Sequence, residues 1–149
     1  ERAPESLRTA LLPLAAVVTP NLPEAEALAG MAIRSEHDAE EAARRIAALG
    51  PAAVVVKGGH ADSAEIVDLL FDGVTVRAFR QPRIPGSNTH GTGCTFAAAV
   101  AAHLAYGRSL ADAVPVAQRY VAGAIASAPG LGRGHGPMDH FWQVRRDLP

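Results

Sequence analysis

The sequence predicts an α/β fold, a mixed sheet with helices packed on it, and three observations carry that expectation. Two short apolar, β-branched runs, AAVVT at 15–19 and AAVVVKGG at 52–59, read as buried strands. The stretch between them carries helical periodicity, so the two strands are connected through helices and expected to be parallel. Residues 65–79 read as a hairpin, and the last third of the chain is helical. The resulting order, αβααββαα, implies a sheet flanked by helices. Three or four strands are few for this many helices, so a portion of a larger sheet fits better than a complete one.

Each element has a local reason. ESLRTALL (5–12) reads as a helix stopped by Pro13. After the first strand, Asn21 is placed as an N-cap, with Glu24 three residues on and Pro23 in the first turn, and Gly30 closes the helix. Ser35 and Asp38 open a second helix to about residue 50. There Ala39, Ala42, Ala43, Ile46 and Leu49 share a face, and acids precede arginines in the sense the helix dipole favours. Gly50-Pro51 ends it. In the hairpin, Asp72-Gly73 is the turn signal. A helix is expected from about Gly93 to Tyr106. Another runs from Leu110 to about Ala128, with Ser109 as N-cap and Pro115 near its first turns. A glycine-rich loop (128–137) and a short tail (138–142) follow.

Composition bounds the function. The chain has 149 residues, 48% of them hydrophobic, enough for one domain, 1–149, with a real core. A net charge of −1 gives no electrostatic case for nucleic acid or an anionic membrane. No apolar run reaches the roughly 18 residues of a membrane span. One cysteine cannot form an internal disulfide, which points to a reducing compartment, most simply the cytoplasm. The chain opens on Glu1 within what reads as a helix, so it is expected to be a piece of something longer.

The chemistry concentrates in NTHGTGCTF (88–96). A Gly-x-Gly turn opening a helix presents backbone N–H groups and the positive end of the helix dipole, which suits phosphate or charge developing on a phosphoryl group. Two familiar glycine motifs fail. A Walker A loop needs Gly-Lys-Ser/Thr, and a dinucleotide fingerprint needs a third glycine where Phe96 stands. The alternative is a plain tight turn into an alanine-rich helix. Cys94, in the first turn, reads either as a thiol activated by the helix N-terminus, able to take a proton or attack, or as a small buried hydrophobe. His90, four residues earlier, could pair with it as in a thiol hydrolase, although nothing else in the sequence completes such a triad.

Asn21 and Glu24 read first as helix caps and second as a water-mediated grip on Mg²⁺ and phosphates, since Mg²⁺ prefers oxygen ligands and keeps waters. Lys57 ends a strand before Gly58-Gly59, at the carboxyl end of a strand, where α/β sheets place ligand contacts; its plain role is a solvated strand end. His37 and His103 are expected on helix surfaces, and no histidine pair has a convincing metal-ligand spacing.

Taken together, VVTPNLPEAEALAG (17–30), VVVKGGH (54–60), NTHGTGCTFAAAVAAHLAYG (88–107) and APGLGRGHGPMDHF (128–141) resemble the hydroxymethylpyrimidine/phosphomethylpyrimidine kinases of thiamin biosynthesis, within the ribokinase superfamily. The resemblance implies a ribokinase-like α/β fold with a mixed, mostly parallel sheet, ATP and Mg²⁺ as cofactors, and a small pyrimidine as acceptor. Gly91, Thr92, Gly93 and Cys94 would form the anion hole over the transferring γ-phosphoryl. Asn21 and Glu24 would serve the Mg²⁺–phosphate network, and Lys57 and Gly58 would lie near the nucleotide phosphates. Most of the superfamily has Asp where this chain has Cys94; the pyrimidine kinases carry Cys there, in the role of base toward the hydroxymethyl group.

The resemblance also implies an additional N-terminal half that supplies the first strands and most pyrimidine contacts. The isolated chain is therefore expected to be impaired and to expose an apolar sheet edge. The complete protein is expected as a homodimer. A pyridoxal-type kinase and a nucleotide-binding piece without catalysis stand as alternatives.

Overall fold

The computed structural model describes residues 3–59, 63–85, 89–131 and 134–146. The chain divides into two compact units, residues 1–82 and 83–149.

The first unit opens with helical turns: α1 (Ala3–Ser6), a π turn (Leu7–Leu11) and a 3₁₀ turn (Leu12–Leu14) containing Pro13. The regular helix expected over 5–12 is thus broken into three short pieces. Only Leu12 among the described residues 5–14 is buried, so this segment has no continuous apolar face to hold an ideal helix.

The strand expected at 15–19 is present only as two parallel bridges, Val18 with Val54 and Asn21 with Lys57. Its hydrogen bonds all go to one side: Ala52 N–H to Ala15 O, Val18 N–H to Ala53 O, Val55 N–H to Val18 O and Lys57 N–H to Pro20 O, at 2.8–3.1 Å. Pro20 has no N–H to give. The N–H groups of Val17 and Thr19 have no partner among the described residues. The segment is a one-sided edge.

α2 (Leu22–Ala29) follows at once and ends on Gly30 in the left-handed conformation, φ 65°. α3 (Glu36–Ala47) is capped by Ser35, whose hydroxyl accepts from Asp38 N–H at 3.1 Å. It buries Ala39, Ala42, Ala43 and Ile46 as its periodicity requires. The sheet proper is β1 (Val54–Val56), β2 (Glu65–Phe71) and β3 (Val76–Pro82), in that order. All three pair antiparallel, with Val55 opposite Leu70 and Leu69 opposite Ala78. The parallel component is confined to the two bridges with residues 18 and 21. Val54, Val56, Leu69 and Phe71 pack with Ala25 of α2 and Ala39, Ala43 and Ile46 of α3 in one apolar core.

The hairpin forms where expected, but its loop has four residues, 72–75, and not the two of a tight Asp-Gly turn. The cause is the Asp72 side chain. One carboxylate oxygen accepts from Val74 N–H at 3.1 Å and Thr75 N–H at 2.8 Å, and the other accepts from the Thr75 hydroxyl at 3.0 Å. This side-chain turn replaces the backbone turn.

The second unit contains α4 (Thr92–Ala105), α5 (Leu110–Ala126) and α6 (Trp142–Arg146). α4 and α5 pack on each other, and Ser109 caps α5 as expected. Pro115 lies inside α5 without ending it. The segment leading into α6 is tied to α5, with Asp139 N–H to Ala124 O at 2.9 Å and the Tyr120 hydroxyl to His140 O at 2.8 Å. Among the described residues, no helix is long and apolar enough to cross a membrane.

Two expectations follow. The backbone N–H of Thr75, then that of Val74, then the Thr75 hydroxyl hold Asp72 below the usual carboxylate range. A depressed folded value stabilises above the unfolded value and is lost as pH falls through the folded one. The melting-point difference between the unmodified chain and Asp72→Asn should therefore be largest above about pH 4.5 and shrink towards pH 2, the unfolded carboxylate titrating near pH 3.9. At Gly123, an added Cβ would lie 2.2 Å from the Trp142 ring. Gly123→Ala should displace the single tryptophan, read as a red shift of its emission while the far-ultraviolet helix signal is retained.

Candidate functional site

In the first unit, the end of the 15–21 segment and the end of β1 lie side by side. The Asn21–Lys57 bridge and the 2.9 Å bond from Lys57 N–H to Pro20 O fix that placement. Both segments point their carboxyl ends here, the end of a parallel pair at which α/β sheets bind ligands. α2 starts at the same place. Asn21 is its N-cap, with a complete capping box: Asn21 Oδ1 accepts from Glu24 N–H at 2.9 Å, and Glu24 Oε2 accepts from Asn21 N–H at 2.8 Å. The capping role is therefore real, and it occupies one oxygen of each side chain. Glu24 Oε1 takes no hydrogen bond among the described residues.

Lys57 is half-buried and Gly59 exposed. Gly58 N–H is given to the Asp68 carboxylate at 2.9 Å. The turn is pressed against β2, because a Cβ on Gly58 would lie 2.2 Å from the Val67 carbonyl oxygen. The structure thus brings together Asn21, Glu24, Lys57 and Gly58, all singled out in the sequence. It adds Asp68, which sequence reasoning missed. The signal was there: a lone acid within an apolar strand run, IVDLLF (66–71), has to be solvated or hydrogen-bonded. Asp68 is only 4% exposed.

The second unit carries Gly91, Thr92, Gly93 and Cys94. Gly91 is the N-cap of α4 with φ 84° and ψ 3°, a left-handed conformation that favours glycine. The space its absent side chain would fill is open, with no atom within 4 Å. Thr92 N–H is spent on Thr89 O at 3.3 Å and Thr95 N–H on Gly91 O at 2.9 Å. Between them, the N–H groups of Gly93 and Cys94 have no acceptor among the described residues. A fourteen-residue helix stands behind them, so two unspent donors and the helix dipole converge on an open position. The Cys94 thiol is exposed, which removes the reading of a small buried hydrophobe. The lead-in to the turn is pinned from the glycine-rich loop by a bridge between His90 and Pro137.

No hydrogen bond joins His90 to Cys94, so the thiol–imidazole pair of a hydrolase is not formed. His37 is exposed, as expected. His103 is not on a free helix surface: it is half-buried, its Nδ1 is enclosed without a hydrogen-bond partner, and it lines a groove of about 680 Å³ with Cys94, Ala98, Ala102, Tyr120 and His140. Asn88 and His60, quoted in the sequence motifs, lie outside the described residues.

Two groups of donors result. The exposed α4 N-terminus fits the oxygens of a phosphate. For Mg²⁺, an acidic oxygen and an amide at the α2 N-terminus fit outer-shell contacts through water. Among the described residues no cluster of three His, Cys, Asp or Glu side chains could hold a metal directly.

The tightness of the Lys57 turn is testable. Gly58→Ala should lower stability by about 1–3 kcal/mol, the usual range for overpacking. Gly59→Ala, with nothing within 4 Å of its added carbon, should stay within about 0.5 kcal/mol. Denaturant unfolding of the pair measures the difference.

Comparison with known proteins places the chain in a family. Residues 1–139 match the phosphomethylpyrimidine kinase family. The chain is 52% identical over 135 residues to the thiamine biosynthesis bifunctional protein ThiED of Geobacter sulfurreducens, covering 91% of this chain and 28% of that protein. It is 49% identical to the hydroxymethylpyrimidine/phosphomethylpyrimidine kinase of Streptomyces coelicolor, covering 94% of this chain and 52% of the relative. The pyridoxal kinase of Staphylococcus aureus, solved in complex with AMP-PCP and pyridoxal, superposes with a TM-score of 0.89 at 41% identity, over 95% of this chain and 53% of that one. The fold is therefore ribokinase-like, and the chain spans about half the length of these kinases. With both units covered by one family match, this chain belongs to the phosphomethylpyrimidine kinase family.

Proposed function

We propose that this chain supplies the phosphoryl-transfer end of an ATP-dependent kinase acting on hydroxymethylpyrimidine and its monophosphate in thiamin biosynthesis, and that its two units belong to one ribokinase-like domain. The observation that carries the reading is the turn at Gly91: a left-handed glycine with open space above it, two unspent N–H groups behind it and an exposed thiol beside them. Family membership supports the reaction class.

In this reading the N–H groups of Gly93 and Cys94 hold the oxygens of the transferring γ-phosphoryl, where negative charge gathers in the transition state. Gly91 keeps that position free of any side chain. Cys94 takes the proton from the acceptor hydroxymethyl group, whose oxygen forms the new P–O bond as the bond to the ADP leaving group breaks. Thr92 contributes to the closing of the turn through its bond to Thr89, and not through a free N–H. Asn21 and Glu24 meet the hydrated cation and phosphates from the α2 N-terminus, and Lys57 holds the nucleotide phosphates. Gly58 serves by fit, since its N–H is already donated. Mg²⁺, when bound, neutralises phosphate charge. A cytoplasmic location and a homodimer of the complete protein belong to the same proposal.

A second reading, pyridoxal as acceptor, is favoured by the similarity to a kinase solved with pyridoxal. Rates with the two acceptors in one assay of a full-length kinase built on this sequence discriminate them.

Mg-ATP should raise the melting temperature of this chain, because a ligand selective for the folded state stabilises it; a melting curve indifferent to Mg-ATP would sink the nucleotide reading for this chain. In the full-length kinase, Cys94→Ala should lower kcat by about 10²–10⁴-fold, the usual reach of a general base, with the KM for ATP unchanged. An unchanged kcat would remove Cys94 from the chemistry.

A further inference from the structure

We infer that Asp68 is a positioning residue for the nucleotide site: it clamps the turn 57–59 against β2, and so sets where Lys57 meets the phosphates. The inference rests on the reading of Lys57 given above and extends it to a residue that acts through the turn.

Asp68 is a buried carboxylate in the middle of β2, and the only polar residue between Ile66 and Phe71. Burying such a group is expensive unless hydrogen bonds compensate, so its presence there calls for a local reason. Its Oδ1 accepts the Gly58 N–H at 2.9 Å. Bonds from a backbone N–H to an ionised acceptor are about twice as strong as neutral ones. The β1–β2 register of Val56 opposite Leu69, continued by two pairs, sets Lys57 opposite Asp68 and Gly58 opposite Val67. The acid is therefore directly across the ladder from the residue whose turn it holds.

The turn is fixed from three directions. Asp68 pulls on the Gly58 N–H. The Val67 carbonyl leaves no room for a side chain on Gly58. Lys57 N–H is held by Pro20 O at 2.9 Å on the opposite side. That last bond joins the turn to Asn21 and its capping box. A shift of the turn would therefore move Lys57 and strain the Asn21–Glu24 end together. Removing the Asp68 acceptor releases one of these restraints and leaves the half-buried Gly58 N–H without it.

The test uses this chain with two variants, Asp68→Ala and Asp68→Asn, and two readouts: hydrogen exchange of the Gly58 amide, and affinity for Mg–AMP-PCP by titration calorimetry. Asp68→Ala should speed Gly58 exchange and weaken Mg–AMP-PCP by roughly ten- to a hundredfold, the range for losing a buried charge-assisted bond. Asp68→Asn keeps a neutral acceptor, so both effects should fall to a few-fold. Gly58 exchange equal to that of the unmodified chain in folded Asp68→Ala overturns the clamp. Faster exchange with unchanged affinity overturns the positioning role and leaves Asp68 purely structural. If Asp68→Ala does not fold, Asp68→Asn decides: identity with the unmodified chain in both readouts overturns the inference. An unmodified chain that binds no Mg–AMP-PCP overturns the nucleotide reading itself and takes the positioning role with it. That case is recognised because Gly58 exchange would still respond to the substitutions.

Discussion

The backbone pairing of residues 15–20 with 52–57 decides where Asn21 and Lys57 meet in the first unit. It is a short ladder of four hydrogen bonds, and its last rung, Lys57 N–H to Pro20 O, lies at the carboxyl ends of both segments. Pro20 has no N–H to add to the ladder, and after the Asn21–Lys57 bridge the chain turns directly into α2. The capping box then consumes the local donors of Asn21 and Glu24 in fixed geometry. An acid and an amide from one stretch of sequence and a lysine from another, more than thirty residues on, are thereby held at one end of the sheet, without any of them being buried in it.

The second unit solves a related problem by other means. Its donors are backbone N–H groups, made available by a glycine cap that leaves the first turn of α4 unsatisfied. The cap offers no side-chain acceptor, unlike Asn21, Ser35 and Ser109 at the other helix starts. Those three helices satisfy an orphan donor internally. In each of them the cap side chain takes the third N–H of the helix, whereas the corresponding N–H of α4, that of Cys94, has no acceptor among the described residues. That difference, and not the glycine spacing by itself, is what supports the role proposed for the Gly91 turn.

Much of this was legible in the sequence, for identifiable reasons. The capping box, the Gly30 stop, the α3 face and the hairpin are local events, governed by residues three or four apart, and the structure has them. The parts that went unread depend on partners remote in sequence. Residues 15–19 have strand composition, but a strand is defined by pairing on its neighbours, and here only one side is paired. The Asp72 loop follows from a side chain competing with the backbone, which composition does not rank. Asp68 could not be assigned without knowing that β2 runs beside the Gly58 turn. The histidine at 103 was placed on a surface because its helix face is shared with alanines, whose small size leaves a groove that encloses its ring. The motif at Gly91–Cys94 was visible at once; that its Cys94 thiol is exposed was not.

The one-sided segment at 15–19 has a consequence for how this chain behaves among its own copies. The two outer edges of the first unit are unlike. The β3 edge carries Arg77, Arg80 and Pro82, the charges and proline that discourage strand pairing. The 15–19 edge offers the N–H groups of Val17 and Thr19 from an apolar run without a charge. Strand pairing with another copy is therefore discouraged at the β3 edge and unopposed by charge at the 15–19 edge. Like edge on like edge across a two-fold axis closes, whereas open edge on guarded edge would propagate into a filament, and it is the second that the arginines of β3 disfavour, although they lie on the far side of the sheet from the open edge.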